Sequence, residues 1–182
     1  MQFVQPIRDP EKIEQMKQLL LSRSKRDWFI FVFGINTGLR IGDILRLKVK
    51  DVRNRTHISL IEGKTRKKKW VPINSELKRV IDDYTKGMKA DATLFPSYRT
   101  RGETGICRVQ AYRILNWAAD QCGLEEIGTH TLRKTFGYHF YQKTKDVAML
   151  QNIFNHAYPS LTMRYIGINQ DMIDEAVSNF AL

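Results

Sequence analysis

Cysteine is scarce in this sequence, with Cys107 and Cys122 as its only two. Their spacing fits neither a zinc-ligand pair nor a redox CxxC motif. Both read as structural thiols of a reducing compartment. Long apolar runs are also missing, which argues against a membrane-spanning helix, and the opening MQFVQPIRDPEK has no apolar centre of a secretory signal. The expected location is therefore cytoplasmic. Acidic residues are outnumbered, 19 against 30 basic ones, so the chain carries a net charge of +11 and favours a polyanionic partner. No segment joins a large apolar face to a Lys/Arg-rich face as an interfacial helix does, so nucleic acid is expected and a membrane is not. Repeats and low-complexity stretches are absent, and 42% hydrophobic residues suffice for a core. The 182 residues read as one domain, 1–182.

The pattern along the chain predicts a mainly α fold with one small antiparallel β-sheet. Asp9, Pro10 and Glu11 supply an N-cap, a first-turn proline and a first-turn acid for a helix through Met16, Leu19 and Leu20. Trp28, Phe29, Phe31, Val32, Phe33 and Ile35 make the next helix apolar on most sides, hence buried, with its stop at Asn36-Thr37-Gly38. A short helix is expected over Ile41 to Leu47. His57 to Ile61 and Lys69 to Ile73 are β-prone runs around a basic tip, Glu62 to Lys68, as in a hairpin. Further helices are expected from Ser75, as cap, to Lys86, and from Arg108 to Cys122 with a stop at Gly123. Leu94 to Ser97 reads as a turn. Thr131 to Gln142, Val147 to Phe154, Ser160 to Tyr165 and Gln170 to Asn179 complete the helices.

Several residue types in this pattern can carry chemistry. His130 and Arg133 stand three positions apart at a helix start, where one face can present an imidazole and a bidentate guanidinium to a phosphate. Arg40 follows the sharp exit at Gly38, and Asp43, one turn later, is placed to hold that guanidinium. Lys64 lies in the hairpin tip, where a desolvated ammonium can give up a proton. Arg66, Lys67, Lys68 and Lys69 read as a solvated basic stretch suited to nucleic-acid backbone contacts. Residue chemistry alone does not single out a nucleophile: Tyr138, Tyr141 and Tyr158 have the same claim as Tyr165, and His139 the same as His156. Gly63-Lys64-Thr65 is not a nucleotide-binding loop, since that motif needs glycine where Ile58 stands. Asp51, Glu62 and Lys64 beside a strand are a possible Mg²⁺ site of a nuclease, and that reading stays open alongside a basic DNA-binding module without catalysis.

Taken together, Thr37-Gly38-Leu39-Arg40-Ile41-Gly42-Asp43, Gly63-Lys64, His130-Thr131-Leu132-Arg133, Asn155-His156 and Tyr165 resemble the ordered signature of the tyrosine recombinase, or phage integrase, family. The resemblance extends from about Pro6 to Gly167. It implies the family's catalytic-domain fold and a site-specific recombinase that cleaves and rejoins DNA through a 3′-phosphotyrosine, with no metal, no cofactor and no ATP. It assigns Arg40, Arg133 and His156 to the scissile phosphate, Lys64 to general acid catalysis and His130 to proton transfer. Tyr165 becomes the nucleophile, and Asp43 a supporting residue. Double-stranded DNA is the implied partner and a homotetramer the implied assembly on it, with Asp171 to Leu182 (Met172, Ile173, Val177, Phe180) as an amphipathic tail that could link subunits.

Two departures accompany the resemblance. The family's usual Leu-Gly-His is Phe154-Asn155-His156 here, so the turn before the histidine is expected to differ. Family members usually carry an N-terminal helical domain that clamps the far side of the DNA, and this domain is expected to be absent. Weak, strongly salt-dependent DNA binding by one monomer follows.

Overall fold

The computed structural model describes residues 4–168 together with 177, 178 and 180. Its architecture is mainly helical with a two-stranded antiparallel sheet, as the sequence pattern predicts. Helix α1 (Pro10–Arg23) starts as its residues dictate: the Asp9 carboxylate accepts from the Glu11 N–H at 2.8 Å, and Pro10 occupies a first-turn position where a missing N–H costs nothing. It packs along α2 (Lys25–Thr37), the central element of the core. Phe29, Ile30, Phe31 and Phe33 of α2 are wholly excluded from solvent. The first turn of α2 departs from the apolar expectation, because Arg26 and Asp27 are buried there. Two nitrogens of Arg26 meet Asp27 Oδ1 at 2.9 and 2.7 Å and a third donates to the Pro96 carbonyl, so neither charge is left unpaired.

Where α2 ends, Gly38 takes a left-handed conformation (φ +61°), and a Cβ on it would lie 2.5 Å from the Phe136 ring. Both facts require glycine. The chain then reverses through Arg40 into the single turn of α3 (Ile41–Ile44), shorter than expected, so Arg40 emerges at a bend held by the core.

Strands β1 (His57–Ile61) and β2 (Lys68–Pro72) pair with Ser59 opposite Trp70 and Ile61 opposite Lys68. The second strand begins one residue earlier than its β-prone run because Lys68 completes the ladder. Ile58 and Val71 face the core. Helix α4 (Ser75–Thr85) is capped by Asn74 and not by Ser75: Asn74 is extended, and its side chain accepts from Leu77 N at 2.8 Å.

Helix α5 (Arg108–Gln121) precedes α6 (Thr131–Thr144), which runs past its expected end because Lys143 and Thr144 contain no breaker and Lys145 supplies the left-handed stop. The helices α7 (Val147–Phe154) and α8 (Pro159–Ile166) fold against α6 over a second, smaller apolar cluster of Tyr141, Leu150, Phe154, Ile166 and Ile168. Cys122 is buried and Cys107 exposed, both free. Among the described residues no helix is long and apolar enough to cross a membrane. Most of the predicted helix Gln170 to Asn179 and of the amphipathic tail lies outside the described residues; Val177 and Phe180 are exposed.

Candidate active site

A cleft of about 710 Å³ opens between the exit of α2, the hairpin tip and helices α6 to α8. Arg40, Lys64, His130, Arg133, His156 and Tyr165 all line it, although they come from five separate stretches of chain. Arg133 is the most firmly fixed. It is 2% exposed, donates to the Gly38 carbonyl at 2.6 Å and the Phe154 carbonyl at 2.8 Å, and lies 4.0 Å over the Phe154 ring. Those bonds join the bend before Arg40 to the turn before His156. Burial, followed by the nearby Arg40 charge, pulls the Arg133 guanidinium down to about 10, so it remains a cation at neutral pH.

His130 is the N-cap of α6, yet its side chain makes no capping bond. Its Nδ1 faces the Tyr165 hydroxyl at 3.2 Å. Burial, with Arg133, Lys134, Arg40 and Lys64 nearby, holds His130 below its ordinary pKa, leaving the ring neutral at pH 7 and able to accept a proton. Burial pushes the Tyr165 phenol up, against the pull of Arg133 and Arg40. The phenol is thus protonated at rest and needs an acceptor.

His156 packs edge-on against Tyr165, ring centroids 5.2 Å apart, and its Nδ1 meets Thr162 Oγ1 at 3.0 Å. Thr162 is fully buried. With Nδ1 occupied by Thr162, Nε2 is the nitrogen left to face the cleft. Burial and then the Arg133 and Arg40 charges depress His156 to about 4, so at neutral pH it acts as a neutral hydrogen-bonding group. Asn155, in the place of the family glycine, takes the left-handed conformation itself (φ 51°, ψ 42°), which asparagine tolerates better than most residues. The turn expected to differ is therefore left-handed, as glycine would allow.

Two expectations need correction. Asp43 does not hold Arg40: its Oδ1 accepts from Arg46 at 2.5 Å and from the Gly63 N–H at 2.9 Å, because α3 turns it toward the hairpin. Glu62, fully buried, holds Arg40 instead, with Arg40 Nη1 to Glu62 Oε1 at 2.6 Å. Lys69 is not part of a solvated basic stretch. It is 7% exposed, on the inner face of β2, and its ammonium donates to the Ile153 carbonyl at 2.5 Å with Glu62 at 3.5 Å. Burial and the Arg133 charge pull it down to about 8. Arg66, Lys67 and Lys68 are exposed as expected.

The Mg²⁺ arrangement does not assemble either. Asp51 accepts from the Lys48 N–H as part of a 3-10 turn, and both Glu62 oxygens are bound within the protein. Among the described residues no group of three His, Cys, Asp or Glu is placed to hold a metal ion.

Sequence reasoning missed Glu62 in its true role, along with Thr162 and with Arg108, another cation on the cleft wall. Only Glu62 gave any signal, as an acid beside Gly63-Lys64.

The sequence matches the phage integrase family over residues 9–172. That span is most of the chain. This chain belongs to the phage integrase family. As a member it is a tyrosine-type site-specific DNA recombinase. It is 59% identical over 180 residues to a probable integrase/recombinase, YoeC, of Bacillus subtilis (strain 168), covering 99% of this chain and 98% of that one. It is 25% identical over 169 residues to tyrosine recombinase XerA of Pyrococcus furiosus, covering 92% of this chain but 59% of the relative. In structure it resembles a crystal structure of XerA recombinase (TM-score 0.76, 20% identity, 96% of this chain and 63% of that one). It also resembles XerH recombinase bound to its difH substrate before cleavage (TM-score 0.72, 20% identity, all of this chain and 56% of that one). At such identities the structural likeness speaks for the integrase fold. The chain thus spans nearly all of one relative and little more than half of several others.

Proposed function

We propose that this integrase breaks and rejoins DNA strands through a 3′-phosphotyrosyl link at Tyr165. The observation carrying the reading is the Tyr165 hydroxyl, 3.2 Å from a neutral His130 nitrogen and in the same cleft as Arg40, Lys64, Arg133 and His156. Tyr165 Oη attacks phosphorus, its proton passing to His130 Nδ1. The bond from phosphorus to the 5′ oxygen breaks, and Lys64 supplies that oxygen with a proton. Negative charge gathering on the non-bridging oxygens meets the fixed donors of Arg40 and Arg133 and the neutral His156 N–H. The phosphotyrosine keeps the ester bond, so a 5′ hydroxyl reseals the strand by the reverse step without ATP.

The exposed Arg66, Lys67 and Lys68 fit contacts to the DNA backbone outside the cleft. A lambda integrase dimer bound to a core site is among the similar structures. For this chain we infer double-stranded DNA as substrate, a homotetramer on it, and the single domain 1–182 as the catalytic unit.

The test incubates the protein in EDTA with a nicked duplex whose released 5′ fragment diffuses away, and looks for an SDS-resistant protein–DNA adduct. Wild type forms it and Tyr165→Phe does not. Cleavage that requires Mg²⁺ and leaves no adduct, or an adduct that persists in Tyr165→Phe, refutes the proposal.

A further inference from the structure

Lys64 is exposed at the hairpin tip, yet the backbone on either side of it is anchored. On one side, the Gly63 N–H donates to Asp43 Oδ1 at 2.9 Å. On the other, the Thr65 hydroxyl donates to Glu62 Oε2 at 2.6 Å. The turn closes on the same glutamate, with Arg66 N–H to the Glu62 carbonyl and Glu62 N–H to the Lys67 carbonyl, both at 2.9 Å. Glu62 is itself held at both carboxylate oxygens. It is fully buried, its Oε1 is paired with Arg40, and its Oε2 also receives Asn155 Nδ2 at 3.3 Å, next to His156.

From these contacts we infer that Thr65, through its hydrogen bond to buried Glu62, is a positioning residue that fixes the Lys64 ammonium relative to the Arg40 and His156 walls of the cleft. A lysine side chain has four rotatable bonds, so an unanchored tip spreads its ammonium over many places. General acid catalysis needs the proton donor within hydrogen-bond reach of the leaving oxygen. Anchoring the backbone at both neighbours removes the part of that spread that arises from the tip. Glu62 thereby links the hairpin to the phosphate-facing side, since one carboxylate holds Arg40 with one oxygen and Thr65 with the other. Burial opposes its charge, but Thr65, Lys69 and Arg40 outweigh burial and hold the carboxyl below its ordinary pKa, so both contacts persist at neutral pH.

The inference rests on Lys64 acting as general acid, and the test keeps the two claims apart. Single-turnover cleavage is compared on two nicked duplexes, one ordinary and one with sulfur replacing the bridging 5′ oxygen. A 5′ thiolate leaves without protonation because a thiol is far more acidic than an alcohol, so that substrate bypasses the acid. Thr65→Val, which keeps the shape and removes the hydroxyl, is expected to slow cleavage of the ordinary DNA about 10- to 100-fold. That is less than the ~10²- to 10⁴-fold a general acid can supply in full. It should cleave the sulfur-containing DNA near the wild-type rate, with DNA affinity unchanged, and Thr65→Ser should restore the ordinary rate. Equal slowing on both duplexes, or no slowing at all, overturns the positioning role while Lys64→Ala is rescued by sulfur. If Lys64→Ala is not rescued, the acid assignment fails and the inference falls with it.

Discussion

Replacing His156 with glutamine tests whether the cleft is a preformed cationic field. In the folded chain His156 titrates at about 4 against an ordinary 6.5, because burial and the Arg133, Arg40 and Lys69 charges oppose its protonation. The unfolded chain therefore binds more protons between those two values, and stability rises with pH across that window. The contribution is complete above 6.5 and is lost as pH falls toward 4. At about 1.4 kcal/mol per pH unit the gap sets a ceiling of ~3 kcal/mol. The imidazole is partly solvated at the cleft wall, and screening reduces the expected loss to ~1–2 kcal/mol.

Urea titrations at pH 7.5 and 4.5 read this directly, with Glu62, His130 and the other titrating groups cancelling between wild type and His156→Gln. With a slope of about 1–3 kcal/mol per molar urea, the wild-type midpoint should drop by roughly 0.5–1 M more than that of the variant. A bound phosphate partly neutralises the field, so inorganic phosphate should raise the His156 pKa in a histidine NMR titration. Equal midpoint losses in the two proteins, together with a His156 pKa near 6.5, would refute the reasoning.

Thr162→Val should release His156 Nδ1 and slow cleavage about 10-fold, with Thr162→Ser close to wild type; a histidine ¹⁵N spectrum showing an unchanged tautomer would count against it. Lys67→Ala, at an exposed position, should lower the salt slope of DNA binding by about one unit. Lys69→Ala should leave that slope unchanged and instead destabilise the fold by ~1–3 kcal/mol, since buried Glu62 and the Ile153 carbonyl each lose a donor. Arg133→Ala should cost ~2–4 kcal/mol of stability in urea titration, from two buried carbonyls left without their donor, and about 3 kcal/mol or more in the cleavage barrier.

Much of the fold was legible along the chain because its signals are local. The Asp9 cap, the Gly38 stop, the span of α7 and the first strand each depend on residues within about one turn or one strand length. Where reading failed locally, a neighbour competed: Asn74 displaced Ser75 as cap because its extended backbone aims the side chain at the helix. The reactive set of Arg40, Lys64, His130, Arg133, His156 and Tyr165 was legible only as an ordered pattern of motifs. Chemistry left Tyr165 one tyrosine among several until folding placed its hydroxyl beside His130, 35 positions away.

The sequence by itself determined the basic charge, the helical character and the family, all of which follow from composition and order. Tertiary structure alone decided which charge answers which. Arg40 could pair with Asp43 three residues on, yet it pairs with Glu62, 22 positions away, because α3 turns Asp43 toward the hairpin. Lys69 looked like its basic neighbours, but strand alternation sends it inward to Glu62 and to Ile153, 84 positions away. A buried carboxylate takes whatever cations the fold brings to it, since leaving it unpaired in low dielectric costs more than any local preference offers.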